Sequence, residues 1–162
     1  MLMANASVVQ NSIISKMVRD SQTGAQTTTY TNVNGVWNAM LANMISFPLR
    51  NKMWQFSNSL FGNFSHGVGF NNGQRNNSEA LRVNLSPAIS FRPENLEFEF
   101  RPRYGLQYTH NSVTTNSSTK PTVHNYGGSF SAYYRTPIDV ILSSDVTFTA
   151  TKGYSEGYDK NE

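Results

Sequence analysis

Glu97 and Glu99 are the residues of this chain closest to an acid–base pair. Two carboxylates can share proton donation and acceptance. At a spacing of two, strand side chains point the same way, ~7 Å apart, and Arg101 and Arg103 continue the same alternation. Charges of both signs on one strand face read as a ladder of ion pairs rather than a catalytic dyad. Arg82 and Arg92 share the polar face of the neighbouring segment, and Asp139 and Asp145 that of the last one. Ser143 lies between those two aspartates, but no histidine falls near them in the pattern, so no Ser-His-Asp nucleophile is built. His66, His110 and His124 all fall near expected loop ends. A metal centre needs at least three ligands and a supporting shell, and this spacing offers neither. The run GVGFNNG (67–73) lacks the spacing and the helix that a phosphate loop requires. The sequons at Asn63-Phe64-Ser65 and Asn116-Ser117-Ser118 are what an Asn/Ser-rich chain produces by chance. Asn71, Asn72, Asn76, Asn77, Tyr154 and Tyr158 have the chemistry to grip a sugar or a peptide, and read more simply as solvated loop residues. No catalytic residue, cofactor or metal is expected, and the chain reads as non-enzymatic.

The composition narrows the elements that hold these residues. The chain has 162 residues, about one domain. Charged residues make up 14%, against ~25% in ordinary soluble proteins. Aromatic residues make up 12%, which argues against disorder. Cysteine is absent, so disulfides, thiolate metal sites and a thiol nucleophile are excluded. A net charge of +3 is too small to point to a nucleic-acid partner. No apolar run reaches the ~18 residues of a membrane helix. Residues 1–6 show neither the basic nor the apolar region of a signal peptide.

Period-two alternation dominates, the mark of half-buried strands. Leu81, Val83, Leu85, Pro87, Ile89 and Phe91 share one face. Leu96, Phe98, Phe100, Pro102, Tyr104, Leu106 and Tyr108 resume it after a turn. The same period gives about seven strands, roughly 4–18, 29–47, 53–66, 80–92, 96–111, 122–135 and 139–152. Matching the apolar faces of the best hairpin pairs Arg92 with Glu97 and sets Pro87 opposite Pro102. Both prolines lack a ladder donor, so a single concentrated defect is expected there, as a bulge. The connections alternate in length: tight at 49–52, 92–95 and 136–138, long at 20–28, 69–78, 112–121 and from 153 onward.

That alternation is the plan of outer-membrane barrels, with short turns at one end and long loops at the other. Aromatic residues gather near the tight-turn ends (Phe47, Trp54, Phe56, Phe91, Phe98, Tyr134) and toward the long-loop ends (Phe64, Tyr108, Tyr126, Phe148). Amphipathic rings favour the two membrane interfaces. The polar faces then line a lumen, and Arg82, Arg92, Glu97, Glu99, Arg101, Arg103, Asp139 and Asp145 are its expected charges. The expected fold is all-β: an antiparallel up-and-down meander of about seven long strands, a partial transmembrane β-barrel in one segment spanning 1–162. Seven is odd, and a membrane sheet must close, so the expectation is of an incomplete barrel.

PLRNKMWQFSN (48–58), SPAISFRPENLEFEFRPRYGLQY (86–108), TVHNYGGSFSAYY (122–134) and DVILSSDVTFTATKGYSEGYD (139–159) resemble the outer-membrane β-barrel region of TonB-dependent-receptor-like proteins of Bacteroidetes. The resemblance implies an outer-membrane location and one wall of a barrel of about 22 strands around an N-terminal plug. It implies nutrient import driven by the TonB complex, reached only through an N-terminal part that this chain does not show. The implied partners are outer-membrane lipid, the remaining strands and the plug. Two other readings fit the alternation: a soluble all-β binding module (a sandwich or jelly roll), and a small standalone structural or adhesive barrel. The 12–16-residue strands and the loop asymmetry favour the first reading over both.

Overall fold

The computed structural model describes residues 1–49, 52–113 and 122–153. Among them it contains nine strands and no helix: β1 (Leu2–Val9), β2 (Ser12–Arg19), β3 (Gln26–Val33), β4 (Val36–Pro48), β5 (Trp54–Asn71), β6 (Gln74–Phe91), β7 (Leu96–Asn111), β8 (Thr122–Arg135) and β9 (Ile141–Lys152). Seven of them form one sheet in the order β1-β4-β5-β6-β7-β8-β9, and β2 and β3 pair separately. Every pairing is antiparallel. The all-β antiparallel meander expected from the alternation is therefore what the chain forms. The sheet is open, with β1 and β9 as its edges.

The two strands expected at 4–18 and 29–47 are each broken once. Pairing runs from Leu2↔Asn43 to Val9↔Val36, and then from Ser12↔Val33 to Arg19↔Gln26. Paired numbers add to 45 on both sides of the break, so this is one long hairpin bent without a register shift. Asn11 (φ 54°) and Gly35 (φ 93°) supply the left-handed backbone at the bend, and the Asn11 amide donates to Asn34 Oδ1 at 2.7 Å. The β2–β3 arm then leans on the far end of β5 and β6. The Arg19 amide donates to Asn72 Oδ1 at 3.1 Å, Lys16 Nζ lies 5.3 Å from the centre of the Phe70 ring, and His66 Nδ1–H donates to the Gly35 carbonyl at 2.6 Å.

The long loop expected at 69–78 does not exist. β5 and β6 continue to Asn71↔Gln74, joined by Asn72 (φ 46°) and Gly73 (φ 81°). Positive φ at both central residues is the Asn-Gly hairpin turn that matches the twist of its strands. At the arm's tip, Asp20 Oδ1 accepts the amides of Gln22 and Thr23 at 2.7 and 3.3 Å. These bonds hold its carboxyl below the usual range. The loop at 112–121 and the tail from 153 fall almost wholly outside the described residues.

The register of the central hairpin is the expected one. Pairs run from Ser78↔Asn111 to Leu85↔Tyr104 and resume from Ile89↔Phe100 to Phe91↔Phe98. Paired numbers add to 189 throughout, so no residue is inserted and the defect is a gap in phase, not the expected bulge. Ser86, Pro87 and Ala88 face Arg101, Pro102 and Arg103 across it. Two prolines opposite each other remove both donors of one rung, which accounts for a gap of this length. Restoring one donor with Pro102→Ala lets the new amide bond the Pro87 carbonyl. Hydrogen exchange at that amide is then slowed at least ~10-fold relative to an exposed amide. Exchange at the rate of an exposed amide contradicts the facing-proline geometry.

Candidate functional site

Because strand side chains alternate, the register places each residue on one of two faces. On the first face, β4 carries Trp37, Leu41, Ile45 and Phe47, β5 carries Trp54, Phe56, Leu60 and Phe64, and β7 carries Phe98, Phe100, Leu106 and Tyr108. Rings meet across neighbouring strands at both ends of this face. Trp54 and Phe91 lie 4.5 Å apart and Phe47 and Phe56 5.3 Å at the tight-turn end. Trp37 and Phe64 lie 4.8 Å apart at the other, and Tyr104 and Tyr126 lie 5.5 Å apart inside the band. In three strands the bounding aromatics stand ten residues apart: Trp37 and Phe47, Trp54 and Phe64, Phe98 and Tyr108. Ten residues at ~3.3 Å each make ~33 Å along a strand. Tilted by ~40°, that becomes a band ~25 Å tall, the height of a transmembrane barrel's apolar belt.

Between the two rows of rings nothing in the described structure covers this face; the β2–β3 arm reaches it only at its far end, at Val68 and Phe70. Leu41, Ile45, Phe47, Trp54, Phe100, Phe130, Val146 and Phe148 of this face are exposed, and the buried hydrophobic residues of the whole described molecule are only Val33, Val68 and Ala88. The accessible surface is 11856 Å², against ~8,100 Å² for a compact chain of this mass. The seven-stranded sheet is a single layer, and a single layer has no interior of its own.

Asn58 is one of the polar residues on that face, between Ile45 and Pro87. Its Oδ1 is buried without a hydrogen-bond partner. A buried unsatisfied carbonyl costs ~1–3 kcal/mol. Asn58→Leu therefore raises the urea midpoint by the equivalent of ~1–3 kcal/mol. An unchanged or lowered midpoint means the amide is satisfied in solution.

The second face is mostly polar, with Met40, Met44, Phe61 and Tyr133 as apolar exceptions. Arg92 Nε donates to Glu97 Oε1 at 2.7 Å, and its Nη1 donates to Gln55 Oε1 at 2.9 Å. Gln55 Nε2 in turn reaches Ser46 Oγ at 2.7 Å. One turn of the ladder further on, Arg101 grips Glu99 Oε1 through Nε at 3.0 Å and Nη2 at 2.9 Å, and Ser90 Oγ donates to Glu99 Oε2 at 3.2 Å. These pairs are half-exposed, so each contributes at most ~1 kcal/mol. Their weight is organisational, since they keep four charges on one face.

Of the eight expected lumen charges, seven lie on this face: Arg82, Arg92, Glu97, Glu99, Arg101, Arg103 and Asp145, the last opposite Ser131. Asp139 does not. β9 starts at Ile141, two residues later than expected, and Asp139 (φ 59°) sits in the turn, 3.8 Å from Arg135. The residues β7 carries on this face place Glu97 and Glu99 against arginines, an ion-pair ladder as expected.

The three histidines do not converge, and no group of three metal-ligating side chains forms among the described residues. His66 pairs with Glu79, and His124 Nδ1 lies 2.9 Å from the Tyr104 hydroxyl. Asn71, Asn72, Asn76 and Asn77 belong to the β5–β6 hairpin rather than a loop: Asn76 Oδ1 accepts the Val113 amide at 2.9 Å. Asn63 of the first sequon lies in β5. The second sequon, Tyr154 and Tyr158 lie outside the described residues. Sequence reasoning missed Asn58 and the bend at Asn11 and Gly35; the Asn34-Gly35 dipeptide was the available signal for the bend. No protein-family model, no curated protein and no solved structure matches this chain.

Proposed function

We propose that this chain is a wall segment of an outer-membrane β-barrel, non-enzymatic, of the TonB-dependent-receptor-like kind, serving nutrient uptake. One observation carries the membrane half of this reading. A one-layer sheet exposes a continuous apolar band ~25 Å tall with aromatic rows at both ends, and its reverse face is polar and charged. Water would leave that band uncovered at ~25 cal/mol per Å², whereas lipid covers it without a second protein layer. A sandwich would need the missing layer. The receptor-like identity rests on the segment resemblance alone.

The two edges, β1 and β9, leave backbone donors and acceptors unpaired, which hydrocarbon does not tolerate. Further strands therefore complete the wall in the bilayer. Their number is constrained by direction. In a seven-stranded antiparallel sheet the two edges run the same way, so an all-antiparallel closure takes an odd number of additional strands.

Tryptophan fluorescence tests the membrane reading. Trp37 and Trp54 are the only two tryptophans and bound the band at opposite ends. In vesicles of brominated phosphatidylcholine that hold the wall closed by its further strands, both are quenched by the lipid and shielded from aqueous iodide. Iodide quenching without lipid quenching overturns the reading in favour of a soluble module.

A further inference from the structure

We propose that the polar face holds a small phosphorylated solute between Arg82 and Arg103. The proposal rests on this face being the wet one, and names the class of solute that it takes. Among the described residues, the arginines nearest the tight turns are neutralised: Arg92 by Glu97 and Arg101 by Glu99. Arg82 and Arg103 are exposed and make neither an ion pair nor a hydrogen bond with any described residue. They differ from their neighbours in company: no carboxylate stands opposite either one, and none bonds them along their own strand as Glu99 bonds Arg101.

What does stand there is neutral. Arg82 lies between Asn63 and Gln107, and Arg103 lies opposite Gly127. Between the two arginines on the same face, Asn84 pairs with Gly105, and Gly105 with Asn125. Gly105 is buried, and a Cβ added there would meet Asn84 Oδ1 at 3.2 Å and Asn125 Cβ at 3.4 Å. The two amides therefore close over a floor that has no side chain of its own. Arg82 faces Gln107, four residues along β7 from Arg103, which sets their Cα atoms ~14 Å apart. Guanidinium groups at that spacing can fold inward onto one solute seated on the two amides that cover the glycine.

The charge sets the class. Two unpaired guanidiniums ask for close to two negative charges, which a phosphomonoester carries near neutral pH. Planar guanidiniums bind phosphate oxygens through paired N–H groups, and the amides of Asn63, Asn84, Gln107 and Asn125 suit the hydroxyls of the remainder. The carboxylates of this face, Glu97, Glu99 and Asp145, all lie toward the tight-turn end, so they do not repel a solute held here.

The test is calorimetric titration of the reconstituted full chain with glucose 6-phosphate and with glucose, at low salt. Glucose 6-phosphate is expected to bind at least about tenfold more tightly than glucose. Arg82→Gln and Arg103→Gln each weaken it by about tenfold, and Arg92→Gln leaves it unchanged. Equal affinities for the two sugars, or no loss in Arg82→Gln and Arg103→Gln, overturn the proposal. Lipid quenching of Trp37 and Trp54 is read on the same samples. Quenching kept with no phosphate preference refutes the site and leaves the wall standing, whereas quenching lost refutes the wall and the site with it.

Discussion

Leu60→Arg destabilises the reconstituted sheet by ~2–4 kcal/mol, whereas Ser59→Arg changes stability by less than ~1 kcal/mol. The two positions are neighbours in β5 and differ only in the face they occupy. Leu60 stands between Asn43 and Leu85 on the apolar face, and Ser59 between Met44 and Ser86 on the polar one. In hydrocarbon the guanidinium loses its water and finds no partner. On the polar face it stays solvated. Urea titration in vesicles reads both values. Equal penalties would mean that both faces meet the same medium, which is the behaviour of a soluble sheet.

Gly128→Val lowers stability by ~1–3 kcal/mol, the cost of forcing volume into a filled space. A Cβ at Gly128 would stand 2.7 and 2.8 Å from Phe148 Cε1 and Cζ, and 3.4 Å from the Arg101 carbonyl. The Phe148 ring lies across the bare glycine of the neighbouring strand, where it covers backbone that has no side chain to shield it. Since the ring is the obstacle, Gly128→Val and Phe148→Ala are not additive. The double variant recovers part of the loss from the first change. Strictly additive losses in urea unfolding would show that the ring does not rest on Gly128.

The fold was legible wherever one face of a strand is apolar and the other polar. In β6 and β7 the alternation and the two prolines were enough to fix the pairing of Phe91 with Phe98 and Leu85 with Tyr104. Legibility failed where both faces are wet. Residues 69–78 carry Asn, Gly, Gln, Arg and Ser on both sides of the ribbon, so no period marks them as strand. The Asn72-Gly73 dipeptide marked the turn, but the polar composition around it read as loop. The bend at Asn11 and Gly35 was hidden for a different reason. The register is unbroken there, and only backbone angles change. Position on the polar face followed from parity, which placed seven of eight charges, while Asp139 was lost because the turn before β9 is longer than the period suggests. Which of these charges are paired depends on side-chain reach, and the sequence does not encode that as a period. The unpaired state of Arg82 and Arg103 emerged only from the geometry.

The central claim is that one face meets lipid and the other meets water. The chain has no cysteine, so single cysteines can be placed and spin-labelled at each position from 96 to 108 along β7. In vesicles, collision with oxygen, which concentrates in lipid, should peak at 98, 100, 104 and 106. Collision with a water-soluble nickel complex should peak at 97, 99, 101 and 103. Opposite phases with a period of two are the expected result. Nickel accessibility that is equal on both faces would contradict the account.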